Sequence, residues 1–291
     1  MIWETGMTIL VSGLVLGSLY AMMATGLSLV WTTLGIFNFA HGVIMTLGAY
    51  IAWQVGTSEG FGWGPAVGLA LAISATIGIG CLIEATLVRP FLGRTNLVLL
   101  AVITTLAGAI FIENSILLTW SGRIKQLPPL IAGDATLLGI TISAQEALVV
   151  GIAPTILCGL WLFLKRSRTG RAIRAVSQNR NSALLVGMNV PLLYALAFGM
   201  SAGLAGFAGI LLGSIRFISP TMGAEPMVKA MIVAIFGGIG SIAGTIGAAY
   251  IIGLFEALSV FFIGLYWTPA ALFSVMIIVL IFRPTGLFGK K

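Results

Sequence analysis

Charge is scarce in this chain. Only 8 % of its 291 residues are Asp, Glu, Lys or Arg, against roughly 25 % in a soluble domain. Hydrophobic residues make up 59 %, so a soluble globular fold is excluded. Histidine occurs once, at His41, and cysteine twice, at Cys81 and Cys158. One histidine and two isolated thiols supply neither a metal site nor a disulfide framework. Both cysteines sit in apolar runs and read as small buried hydrophobes. No GxxxxGK(S/T) phosphate loop occurs, so the chain does not hydrolyse ATP itself. No GxSxG, no HExxH and no paired aspartates within a span occur either, which argues against an intramembrane hydrolase. No catalytic residue is assigned. The N-terminal stretch MIWETGM lacks a positive region, so the first span is expected to be permanent rather than a cleaved signal.

What the chain does have is one basic island: Lys165, Arg166, Arg168, Arg171, Arg174 and Arg180, with no acidic residue between Glu146 and Glu225. The net charge of +7 does not point to nucleic acid, because the cations sit at span ends without aromatic interleaving. They fit the excess of Lys and Arg in cytoplasmic loops.

A helix needs about 20 apolar residues to cross the hydrocarbon. The composition predicts spans over Met7–Val30, Asn38–Val55, Pro65–Val88, Leu97–Trp120, Gln145–Leu164, Pro191–Ile215 and Thr268–Phe282. The segment Met227–Leu258 is too long for one ordinary span. The stretch Gly237–Gly244 breaks it, and each half is shorter than about 17 residues. It reads as a broken helix or re-entrant hairpin, tolerated at membrane depth only inside protein or beside a wet cavity. The fold class is therefore all-α: a polytopic helical bundle of about eight membrane segments, in one domain over 1–291. Arg89 and Arg94, the Lys165–Arg180 island, and Arg283, Lys290 and Lys291 mark the cytoplasmic side. The N-terminus, holding only Glu4, then faces outside, as does Ser121–Ile142 despite Arg123 and Lys125. A faint repeat relates Leu87–Arg94 to Ile281–Lys290, Gly48-Ala49-Tyr50 to Ala248-Ala249-Tyr250, and Gly64-Pro65-Ala66 to Thr268-Pro269-Ala270. Both copies keep their Arg on one side, as in a parallel repeat.

Three motifs carry the functional expectation. In GIFNFAHG, Gly35–Gly42, Asn38 and His41 are three apart and share a helical face; they read either as pathway elements or as an interhelical hydrogen-bond anchor. In GGIGSIAGTIGAAY, Gly237–Tyr250, the cluster Gly237, Gly238 and Gly240 disfavours a continuous helix and reads as a break near the pathway, with Ser241 beside it. The spacings at Gly199/Gly203, Gly206, Gly209 and Gly213 read as close helix packing. In Ser177–Val190, Asn179 or Asn181 can cap a short helix, Ala183, Leu184, Leu185 and Val186 give it an apolar side, and Gly187 ends it. That helix either rests on lipid headgroups or docks a soluble partner. Among the carboxylates, Glu113 lies inside the fourth span, Glu84 is near Arg89, Lys229 follows Glu225 by four, and Glu256 ends the broken segment. Read along the chain they are scattered, with no relay for proton coupling.

Taken together, the chain resembles the branched-chain amino acid type ABC permeases, the LivH-like inner-membrane subunits, over nearly its whole length. The resemblance is carried by Gly13–Trp31, IFNFAHG, Leu47–Tyr50, Ser167–Val190, Val228–Ala248, Glu256–Leu258 and Arg283–Gly289. It implies an importer of small amino acids built from a second, related permease subunit, two cytoplasmic ATPase subunits that bind ATP and Mg, and a periplasmic solute-binding protein. It also implies that Ser177–Val190 is the helix gripped by the ATPase, with Arg174, Gln178, Asn179, Ala183, Leu184, Leu185 and Gly187 in the coupling region. Asn38, His41, Glu113, Gly237, Gly238, Gly240 and Ser241 would then belong to the translocation pathway. The chain departs from the family at Val43, Ala243 and Glu113, which leaves urea, short amides or another small polar solute as the alternative cargo. A stand-alone carrier or channel is the rival from another class.

Overall fold

The computed structural model describes residues 2–137 and 140–289; the expected basic terminus at Lys290 and Lys291 lies outside them. The helices in chain order are α1 (Ile2–Leu34), α2 (His41–Gly56), α3 (Pro65–Ile83), α4 (Leu97–Trp120), α5 (Ala144–Arg166), α6 (Arg168–Gln178), α7 (Arg180–Leu185), α8 (Val190–Ile215), α9 (Ala224–Gly237), α10 (Ile242–Ile263) and α11 (Thr268–Phe282). A hairpin of β1 (Asp134–Leu137) and β2 (Ile140–Ser143) lies in the α4–α5 connection, where no strand was expected. Six helices are long and apolar enough to cross a membrane: α1, α3 with its following turns, α4, α5, α8 and α10. The helices α2, α9 and α11 are shorter, with 16, 14 and 15 residues.

Local chemistry explains the boundaries. Proline occupies the first turn of α3, α8 and α11, where its missing N–H costs nothing. Asn189 caps α8 by accepting from the Leu192 amide at 3.2 Å, and Ser241 caps α10 through the Gly244 amide at 3.1 Å. The break in Met227–Leu258 falls where the glycines stand: α9 ends at Gly237, and Gly238 and Gly240 take φ of +98° and +94°. The second half, however, runs on to Ile263 as a 22-residue helix. The apolar sequence Ser259–Ile263 continues it, so this half is a full-length apolar helix rather than a short re-entrant arm. Only α9 is short.

Contacts fix the relative directions. Gly13 meets Leu254 and Gly17 meets Tyr250, so α1 and α10 are antiparallel. His41 bonds Ser201 while Ala49 faces Gly213, so α2 and α8 are parallel. Lys229 reaches the Tyr20 ring and Gly240 approaches Thr32, so α9 runs with α1. Two groups emerge, α1–α4 and α8–α11, each a long helix followed by an extended segment and a short helix. They are related by inversion, not as the parallel copies the sequence suggested. The starts of the two short helices meet: a Cβ on Gly223 would lie 1.9 Å from the Gly42 carbonyl oxygen, and the Gly223 amide donates to Thr46 Oγ1 at 3.0 Å.

Small residues make these approaches feasible, as expected where apolar surroundings give no hydrophobic drive and contact alone must hold helices. A Cβ on Gly209 would fall 1.9 Å from the Met45 carbonyl oxygen, and one on Gly48 would fall 2.6 Å from Gly206 Cα. The helix α8 is enclosed on nearly all sides, whereas α4 is largely exposed. At the end of α3, Glu84 is fully buried and accepts from Arg89 Nη2 at 2.5 Å. Its partner Arg89 is the group that reaches out to the surface.

Candidate functional site

Nine described cations, Arg89, Arg94, Lys165, Arg166, Arg168, Arg171, Arg174, Arg180 and Arg283, lie where α3, α5 and α11 end, on or between α6 and α7, or before α4. All of these positions are at one end of the bundle, hereafter the cationic end. Glu84 is the one described carboxylate there. The helices α6 and α7 cap this end. Ser167 starts α6 by accepting from the Gly170 amide at 2.8 Å, and Asn179 starts α7 by accepting from the Ser182 amide at 3.0 Å. Gly187, with φ +78°, ends the turn. Ile173, Val176 and Ala183 are buried in a separate apolar cluster with Leu29, Leu164 and Tyr194. This cluster moors both short helices to α1, α5 and α8. Of the coupling residues, Arg174, Gln178, Asn179, Leu184, Leu185 and Gly187 are exposed. Ala183 is 3 % exposed and faces the bundle, so it supports the knob and is not its outer surface. Val186, at 70 %, takes its place beside Leu184 and Leu185.

A cavity of about 650 Å³ lies behind this knob, walled by Thr32, Lys165, Arg174, Ser177, Gly240, Ser241 and Phe288 among others. The structure thus brings Arg174 of the coupling set and Gly240 and Ser241 of the pathway set to one cavity. Gly237 and Gly238 stand behind them, pressed against the C-terminal segment; Phe288 donates its amide to the Gly237 carbonyl at 3.3 Å.

Asn38 and His41 are elsewhere. Asn38 precedes the helix rather than lying on it, and its Oδ1 accepts from the Ala40 amide at 3.1 Å. The shared helical face expected for the pair does not form. His41 is fully buried. Its Nε2 meets the Met23 carbonyl at 3.1 Å and its Nδ1 meets Ser201 Oγ at 3.3 Å, which ties α1, α2 and α8 together. Glu113 lies half-buried on the largely exposed helix α4, and it neither lines the cavity behind the knob nor contacts His41. Among the described residues no three His, Cys, Asp or Glu side chains converge to hold a metal ion.

Towards the opposite end the structure assembles what the linear reading left scattered. Lys229 Nζ donates to Glu225 at 2.5 Å and to Glu256 at 2.6 Å. Tyr20 donates its hydroxyl to the second Glu256 oxygen at 2.8 Å. Lys229, Glu256 and Tyr20 are all buried. Burying such groups is tolerated only when they are paired and hydrogen-bonded. Three elements contribute: α1 gives Tyr20, α9 gives Glu225 and Lys229, and α10 gives Glu256. Arg216, just past α8, lines the two cavities that flank the cluster, of about 170 and 330 Å³. The i,i+4 spacing of Glu225 and Lys229 was the one visible signal; Tyr20 and Arg216 gave none.

Comparison with known proteins agrees with this architecture. Residues 9–282 match the family model described as branched-chain amino acid transport system / permease component. The chain is 34 % identical to the high-affinity branched-chain amino acid transport system permease protein BraD of Pseudomonas aeruginosa, covering 97 % of this chain and 95 % of that one. It is 32 % identical to the corresponding LivH protein of Escherichia coli, covering 96 % and 94 %. A more distant relative, the ribose import permease protein RbsC of Escherichia coli, is 27 % identical over 81 % of this chain and 73 % of its own. No solved structure matches. A helical bundle with a cationic cap, matched over nearly its whole length, belongs to the family of branched-chain amino acid transport permease components.

Proposed function

We propose that this chain is the membrane-spanning subunit of an ABC importer that moves branched-chain or related small amino acids inward. A second, related permease subunit would complete the membrane part. Two ATPase subunits, holding ATP and Mg, would supply the energy, and a periplasmic solute-binding protein would deliver the cargo. The chain itself carries transport and no catalysis. The cationic end faces the cytoplasm by the positive-inside rule. The N-terminus is then outside, the C-terminus inside, and the membrane is the bacterial inner membrane.

The observation that carries the reading is the exposed apolar knob on the cationic end. Leu184, Leu185 and Val186 stand 47 %, 88 % and 70 % exposed among cations, moored from beneath by Ala183 and Val176. An apolar tip held on a moored base is shaped to enter a groove in a soluble partner.

The test is uptake into proteoliposomes holding the whole complex. Leucine accumulation that requires both enclosed ATP and the binding protein is the expected result. Accumulation without ATP would replace this reading with a stand-alone carrier. Labelling of a Leu185→Cys variant from the exterior would invert the topology.

A further inference from the structure

The ionic cluster at Lys229 has more charge than helix packing needs. Lys229, Glu225 and Glu256 satisfy one another. Arg216 forms no close ion pair among the described residues, although it lines both flanking cavities and lies near enough to Glu225 for their charges to interact. Glu225 spends one oxygen on Lys229, and its side chain is still 63 % exposed. A guanidinium free of any direct ion pair and a carboxylate with a free oxygen therefore face one cavity across a gap that neither closes alone. Lys229 and Tyr20, already engaged with Glu225 and Glu256, also reach its wall, and the remaining lining is apolar, with Leu19, Met23, Met45, Leu212 and Met222 among it. Met23 and Met45 are fully buried and close its floor, while Arg216 and Phe217 are exposed at its mouth.

We propose that this cavity is a binding subsite for a zwitterionic aliphatic amino acid. It rests on the transport reading above and places recognition within this chain. The α-carboxylate meets Arg216, whose fork of N–H donors suits a carboxylate. The α-ammonium meets the free oxygen of Glu225. Lys229 is the fixed counter-ion that holds Glu225 in place, and Glu256 with Tyr20 holds Lys229. The aliphatic side chain lies against Met23, Met45 and Met222, whose unbranched thioethers adapt to different branched shapes. A solute lacking either charge, such as an amine or a carboxylic acid, forgoes one of these two pairings; because both groups also meet water, the discrimination is about one decade per charge.

The assembled permease–ATPase complex in nanodiscs, without the soluble binding protein, provides the test. Radiolabelled L-leucine is bound at equilibrium and competed with isoamylamine, which lacks the carboxylate, and isovalerate, which lacks the ammonium. The parent complex binds leucine, and each fragment competes about tenfold or more less well, as expected for loss of one charge-assisted pair. Arg216→Gln weakens leucine by a similar factor and leaves isoamylamine unchanged. Glu225→Gln weakens leucine and leaves isovalerate unchanged. Met222→Trp, which fills the apolar end, removes leucine binding and spares glycine. Binding by all three variants at parental strength overturns the subsite, and so does equal loss of leucine and both fragments in every variant. No leucine binding by the parent complex also overturns it. The transport reading fails separately, by absence of ATP-driven uptake when the binding protein is added to the same complex in vesicles.

Discussion

Leu185→Ala tests the docking knob most directly. The truncation removes three carbons, at about 0.8 kcal/mol each when buried. Leu185 is 88 % exposed, so nearly all of that becomes available on docking, about 2 kcal/mol. Leu184 is 47 % exposed, which halves the stake to about 1 kcal/mol. At 1.4 kcal/mol per decade, the expected losses are about 30-fold for Leu185→Ala and about fivefold for Leu184→Ala in affinity for the ATPase subunit. The assay is titration of purified ATPase onto the permease pair in nanodiscs, followed by solute-stimulated ATP hydrolysis in the rebuilt complex. Leu185→Ala touches almost nothing in the fold, so its insertion and thermal stability stay unchanged, whereas Leu184→Ala also loses about 1 kcal/mol of stability from its buried half. Equal losses for the two leucines, or a larger loss for Leu184, would refute an ordering set by exposed area. Unchanged ATPase affinity with reduced attachment to anionic vesicles would put the knob on lipid instead.

Other substitutions separate packing from transport. His41→Ala removes the tie to the Met23 carbonyl, leaves the Ser201 hydroxyl without its partner and opens a cavity, and about 3 kcal/mol of stability goes with it. Thermal unfolding in detergent reads this, and an unchanged midpoint with lost uptake would return His41 to the pathway. Lys229→Met strands Glu256 with Tyr20 alone and costs about 3–5 kcal/mol. The double variant Lys229→Met/Glu256→Gln recovers part of the loss in the same unfolding assay, and strict additivity would deny the coupling. Gly209→Ala must push α2 and α8 apart, because its Cβ has no room beside Met45; a cost of about 1–3 kcal/mol is expected. Gly238→Ala forces a side chain into positive φ and against Gly289. ATP hydrolysis then continues while uptake per ATP falls, measured as the ratio of the two rates in proteoliposomes.

The spans were legible because hydropathy and punctuation coincide in this chain. Pro65, Pro191 and Pro269 stand in the first turns of their helices, and the glycines at 237–240 stand at the one sharp break before α10. Side and partner were less legible. The run Ala183-Leu184-Leu185-Val186 is apolar throughout, so sequence cannot say which residue faces the bundle; the contacts with Leu29 and Tyr194 decide it for Ala183. Glu225 and Lys229 declared themselves by spacing. Glu256 stands 27 residues beyond Lys229, and Tyr20 stands 236 before Glu256, so their meeting depends on the packing of α1 against α10. Asn38 and His41 misled for a local reason: the helix starts at His41, one turn later than the apolar run.

The two halves of the site are joined by one element. The 14 residues of α9 reach about 21 Å, with Glu225 and Lys229 near one end and the Gly237–Gly240 turn at the other. That turn walls the cavity behind α6, together with Lys165 and Arg174, and it is stitched to the C-terminal segment by the Leu287 and Phe288 amides. A motion imposed on α6 would therefore meet the turn that follows α9 across this cavity, which Arg174 and Gly240 both line. The upper end of α9 is held by the Gly223–Thr46 bond and the Lys229–Glu256 pair. A helix packed along α1 and α10 transmits displacement better than it absorbs it, because close-packed interiors shift between discrete arrangements. The chain leaves the helix at Gly223 on one side and at Gly237, Gly238 and Gly240 on the other, glycines whose backbone no side chain stiffens. Tilting α9 about them changes the distance between Glu225 and Arg216, and this is the distance that a bound zwitterion would bridge.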